Sequence, residues 1–139
     1  MDINDLETPE AVVRKVEGGT WIDEIPECPG LRLRVRGIGA KMYQAELSAR
    51  LRDVPRKERD RNGLPNLDAH LKAQGIAAAK QLLLEWEGLE SNGEPIPYDP
   101  QLAKKLLTNP RGKLLDAVVW AARVADNEAA DIAEAVEKN

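Results

Sequence analysis

The side chains that most often do chemistry are sparse in this sequence: one cysteine, Cys28, and one histidine, His70. Nucleophilic catalysis by such a pair needs the imidazole within reach of the thiol. No local feature brings the two together. Cys28 lies between Pro26 and Pro29 in a loop, and His70 lies among Ala and Leu on a helical stretch. A loop cysteine and an exposed histidine are therefore expected. Metal sites need ligands at set spacings, such as Cys-x-x-Cys, His-Glu-x-x-His or an Asp-rich calcium loop. None is present, and no metal or cofactor is expected. Gly37-Ile38-Gly39-Ala40 has the strand-to-helix context of a dinucleotide fingerprint, but Met42 stands where the third glycine belongs, so it reads as a turn. The acids Asp23, Glu24 and Glu27 lack identifiable partners for acid–base work and read as a solvated hairpin edge. The expectation is a protein that acts by binding, not an enzyme.

The three tryptophans carry more information. Trp21, Trp86 and Trp120 are each expected at the core or its edge, but Trp is also enriched at protein interfaces. Trp86 stands beside a Pro-rich loop containing Tyr98. With Leu82 one helical turn earlier, it forms the candidate partner-binding surface, Leu82, Trp86 and Tyr98.

The elements that position these residues follow from pattern. At 139 residues the chain suits a single domain, residues 1–139, and its 42% hydrophobic content supports a core. With only 4% aromatics, that core must be mostly aliphatic. Residues 11–16 and 20–25 are β-prone runs on either side of Glu17-Gly18-Gly19. Leu31, Leu33 and Val35 alternate with arginines in the period of a half-buried strand. Residues 1–37 thus read as a β-rich part. Ala40, Tyr43, Leu47, Leu51 and Val54 recur at helical spacing, and residues 56–63, without an apolar residue, read as an exposed loop. A second helix starts near Asn66 or Leu67, carries the stripe Leu71, Gly75, Ala78, Leu82, Trp86 and stops at Gly88. Asp99-Pro100 opens a third helix, and a fourth runs from about Lys113 to Ala125. Residues 38–126 are therefore the helical part, and residues 127–139 a weakly helical tail. The fold class is α+β, mainly α: a small N-terminal antiparallel β unit followed by about four helices.

Charge is uneven. Residues 1–30 carry eight acids and two bases, residues 31–62 ten bases and four acids. An internal match between the two segments is favoured over a nucleic-acid patch, because nucleic-acid domains are usually basic overall and the net charge here is −4. The acidic start lacks the pattern of a signal peptide, no stretch approaches the roughly 20 apolar residues that span a bilayer, and a lone cysteine suits a reducing compartment. The expected location is the cytoplasm, without membrane association.

The run from Leu83 through Trp86-Glu87-Gly88, then Asn92-Gly93-Glu94-Pro95-Ile96-Pro97-Tyr98-Asp99, the leucines of 102–107 and Asn109-Pro110 resembles the tail assembly chaperones of long-tailed bacteriophages and prophages. Trp21, Pro29-Gly30 and Leu33-Arg34-Val35-Arg36-Gly37 resemble the opening of such proteins. The resemblance implies a chaperone that coats the tape measure protein, keeps it soluble and helps the tail tube protein polymerise. A homo-oligomer is compatible with that role. Two other readings stay open: a nucleic-acid-binding adaptor using Arg32, Arg34, Arg36 and the 56–61 loop, and a head–tail structural component of the virion.

Overall fold

The computed structural model describes residues 1–138. In chain order, a 3-10 turn at Ile3–Leu6 precedes α1 (Glu10–Glu17), β1 (Thr20–Ile22), β2 (Arg32–Val35), α2 (Lys41–Arg52) and α3 (Leu67–Gln81). Then come β3 (Leu83–Glu87), the two-residue strands β4 (Glu90–Ser91) and β5 (Glu94–Pro95), α4 (Pro100–Leu107) and α5 (Leu114–Glu137). The class is α+β, mainly α, as the patterns predict.

The alternating segment is the centre of the sheet. β2 pairs antiparallel with β1 on one side and β3 on the other. Its apolar residues Leu33 and Val35 are fully enclosed. Its arginines are consumed within the fold: Arg32 meets Glu87 at 2.6 Å and Arg34 meets Glu85 at 3.8 Å, opposite-charge pairs across the strands. Arg36 donates to the carbonyls of Glu17 (2.8 Å) and Gln81 (2.9 Å). The expected match with the acids of residues 1–30 does not form among the described residues: Arg32 and Arg34 pair with acids of β3, and Arg50 with Glu46 and Asp53 of its own segment.

Three sequence expectations are corrected. Residues 11–16 are helical, not β: they belong to α1, where Glu10 and Arg14 pair four residues apart and Lys15 reaches Glu128 of α5 at 3.1 Å. The second helix stops at Gln81, with Leu82 as its cap, so Trp86 lies in a strand. Leu83 and Trp86 are both buried although three residues apart, which a regular strand cannot arrange. A register shift beside Arg34 and Val35 makes it so, in the manner of a β-bulge. Finally, residues 114–137 form one helix. No Gly or Pro interrupts them, and Ala117, Ala121, Ala125 and Ala129 continue one buried stripe past the expected break at Asn127. Asn139, the last residue of the expected tail, lies outside the described residues.

Two carboxylates fasten the Gly37–Ala40 turn. The Glu17 oxygens accept from the Lys41 amide at 3.0 and 3.2 Å, capping α2 from outside because Ala40 has no side chain to do it. Asp126 of α5 accepts from the Gly39 amide at 3.0 Å. Burial pushes the Asp126 carboxyl above its ordinary range, and hydrogen bonds from the Gly39 and Ile38 amides oppose that rise.

Candidate protein-interaction surface

The structure brings the three expected partner-binding residues into one neighbourhood, with Leu82 and Trp86 inside the fold and Tyr98 half-buried at its edge. Leu82 is 0% exposed and Trp86 4%. The Trp86 ring meets the Tyr98 ring edge-on, with centroids 5.0 Å apart and planes at 75°, an arrangement that adds to simple area burial. Trp86 Nε1–H donates to the Ile96 carbonyl at 2.8 Å. Tyr98 is half-buried, and its hydroxyl lies 3.5 Å from the Leu83 carbonyl. Burial raises the Tyr98 hydroxyl above its ordinary range, and the neighbouring Asp99 and Glu85 charges add to this. These side chains hold the 88–98 segment against β3.

A cluster of exposed apolar side chains lies elsewhere, at the start of α3. Asn66 caps the helix by accepting from the Ala69 amide at 2.8 Å. From there Ala69, Ala73, Ala77 and Ala78 face inward and Leu67 and Leu71 face outward, 71% and 42% exposed. Leu67 and Ala69 are two residues apart, or about 200° around the helix, so the usual order is inverted: small residues inside and large ones in solvent. The alanine face packs beside the end of α2, with Ala69 and Ala73 next to Val54 and Pro55. On the side that carries Leu71, α4 comes close: a Cβ on Gly75, one turn after Leu71, would run into the Leu107 carbonyl. The stripe read from sequence is therefore split, with Gly75, Ala78 and Leu82 buried and Leu71 outside.

The loop before α3 adds a third leucine. Residues 56–63 are held in place, not free as their composition suggests. Arg59 donates to the carbonyls of Leu51 (2.5 Å), Val54 (3.0 Å) and Gly63 (2.9 Å). One Asp60 oxygen accepts from the Asn62 and Leu64 amides, at 2.8 and 3.0 Å. Leu64 is left 60% exposed next to the helix start. Beside this stripe lies an open groove of about 510 Å³, its apolar walls formed by Leu71, Leu107, Pro110 and Leu115. Exposed leucines with helical spacing beside a groove suit recognition of an amphipathic helix. The sequence does carry this signal, in Leu67 and Leu71 four apart and offset from Ala69, Ala73 and Ala77.

Basic side chains are frequent nearby: Arg56, Lys57 and Arg61 in the loop that bonds to the start of α3, Lys72 on the groove wall, and Arg111 and Lys113 on either side of Gly112, with Lys113 facing a neighbouring pocket. Among the described residues none of the six forms an ion pair. The acids there are partly compensated. Asp60 binds two amides, while Asp68 and Asp116, which line the groove with Lys72, lie in the first turns of α3 and α5, where the helix dipole favours negative charge; Glu58 is the remaining acid of the loop.

With this surface in view, comparison with known families gives the class. The family model described as YdaY prophage protein matches residues 38–139, from the turn before α2 through α5. The chain belongs to this family and is a prophage protein. No curated protein and no solved structure matches it. Among the described residues, no helix is long and apolar enough to cross a membrane.

Proposed function

We propose that this prophage protein is a tail assembly chaperone, which binds helical segments of the tape measure protein, keeps them soluble and assists polymerisation of the tail tube protein, without catalysing a reaction. The observation that carries the reading is the outward face of α3, where Leu64, Leu67 and Leu71 lie beside the groove. A protein that shields a long apolar helix needs such a face on its outside, and its own core must not depend on those residues. The prophage family fits that setting, and the resemblance of residues 83–110 to tail assembly chaperones supports the reading. Leu82, Trp86 and Tyr98 then serve as the scaffold of the fold.

The test is co-expression with the tape measure protein of the same prophage, followed by pull-down. A soluble stoichiometric complex, lost when Leu67 and Leu71 are both changed to Ser, is the expected result. A tape measure protein that stays insoluble with the wild-type chain beside it overturns the proposal. DNA binding that falls steeply with salt would favour the nucleic-acid reading instead, with Arg56, Lys57 and Arg61 as its contacts.

A further inference from the structure

Residues 1–7 repeat, with opposite charge, the chemistry of the leucine end. Met-Asp-Ile-Asn-Asp-Leu-Glu forms a 3-10 turn over Ile3–Leu6, capped by Asp2, which accepts from the Asn4 amide at 2.9 Å. Side chains three apart in a 3-10 helix eclipse one another. Ile3 and Leu6 therefore make one apolar edge, 78% and 67% exposed, and Asp2 and Asp5 make an acidic edge beside it. The chain's own body does not cover that edge. A gap of about 330 Å³, lined by Asn4, Asp5 and Pro9 on one side and Ala133 and Val136 on the other, separates the segment from the end of α5. Neither Asp2, Asp5 nor Glu7 forms an ion pair among the described residues.

The acidic edge and the leucine groove sit at opposite ends of α5. Ala133 borders the first and Leu115 the second, and the eighteen helical steps from one to the other span about 27 Å. We infer that residues 1–7 of one copy dock in the leucine groove of a second copy, with Ile3 and Leu6 against Leu67, Leu71 and the groove wall, and Asp2, Asp5 and Glu7 among the unpaired bases. This rests on reading the groove as a protein-binding face. It adds that the isolated protein fills that face with its own chain, so a helical client must displace a neighbouring copy to bind. The contact joins two different surfaces, so made in one direction it propagates into chains or rings, and made reciprocally it closes an antiparallel two-fold dimer.

Sedimentation velocity on the full chain alone, across a concentration series, tests this without any client present. The expected result is a mass that rises above monomer with concentration, to dimer or beyond, and less steeply as salt screens the acid–base contacts. Leu67→Asp destroys the groove face and the double variant Ile3→Asp/Leu6→Asp destroys the edge. All three positions are exposed, and circular dichroism checks that each variant keeps its helix content. Each variant alone should lose every species above monomer. An equimolar mixture should recover a dimer and nothing larger, because each partner supplies one intact surface. A wild-type chain that stays monomeric up to millimolar concentration overturns the inference. So do assemblies that survive in either variant alone, or a mixture that stays monomeric. Failure of tape measure binding leaves these sedimentation results unaffected, so the two proposals fail separately.

Discussion

At the β3–Tyr98 corner, large aromatic side chains are enclosed and the Trp86 indole N–H is paired, whereas at the start of α3 large aliphatic side chains stand in solvent beside an open groove. Residue type alone points to the first corner as the interface, since Trp and Tyr are the commoner anchors of partner binding. Packing gives the opposite answer. A tryptophan with a satisfied N–H and an edge-on aromatic neighbour is already in use, while leucines that the fold leaves in solvent remain available. The comparison teaches that a surface for partners is found by asking which apolar groups the fold has no room for.

The comparison breaks first at Trp86. Replacing it by Ala removes the ring from the sheet and leaves the Ile96 carbonyl without its donor, and a buried Trp→Ala change costs about 3–5 kcal/mol. That is a large part of the total stability of a domain, about 5–15 kcal/mol, so the urea midpoint should fall sharply. A variant with wild-type stability and lost partner binding would return the interface to the aromatic corner.

Gly75 sharpens the same contrast from inside α3. On propensity alone Gly→Ala in a helix gains about 1 kcal/mol. Here the new Cβ meets the Leu107 carbonyl, part of the backbone, and overpacking of that kind costs about 1–3 kcal/mol. Net destabilisation is expected on chemical denaturation. A stabilised Gly75→Ala would mean that α3 and α4 have room between them at Leu107.

The outward leucines should behave oppositely. Leu67→Ser and Leu71→Ser touch no enclosed packing, and exposed substitutions of this kind usually stay within about 0.5 kcal/mol each. The paired change should leave the denaturation midpoint almost where it was and remove tape measure binding. A large loss of stability would show that these leucines belong to the core.

What the sequence makes legible follows the same physics. Period-two alternation fixes β2, because its two faces differ as sharply as Leu and Arg can. Asn66 and Asp99-Pro100 mark helix starts that the structure reproduces, since capping is a local matter. β3 is hidden because its buried residues, Leu83 and Trp86, lie three apart across a bulge and imitate a helix continuing from α3. α1 is hidden because its valines suit a strand as well as a short helix, and only packing on α5 decides between them. The leucine groove depends on α3, α4 and α5 meeting at one corner, which no local pattern in the sequence specifies.

The smallest expected effect concerns the turn that joins the sheet to the helices. Asp126 has a folded-state pKa raised above its ordinary value of 3.8, chiefly by burial, with the Gly39 and Ile38 amides pulling it back. A carboxyl raised in the folded state makes that state bind the proton more tightly than the unfolded chain. Its contribution to stability is therefore full below pH 3.8 and is lost as pH rises through the folded value. Asp126→Asn keeps an acceptor for the Gly39 amide and removes the charge that burial disfavours. Measured by urea denaturation from acid to neutral pH, the variant should gain on the wild type as pH rises through that window and then hold a constant difference. If it instead loses ground to the wild type as pH rises, the ionised carboxylate is favoured at the turn, and the hydrogen bonds from Gly39 and Ile38 outweigh its burial.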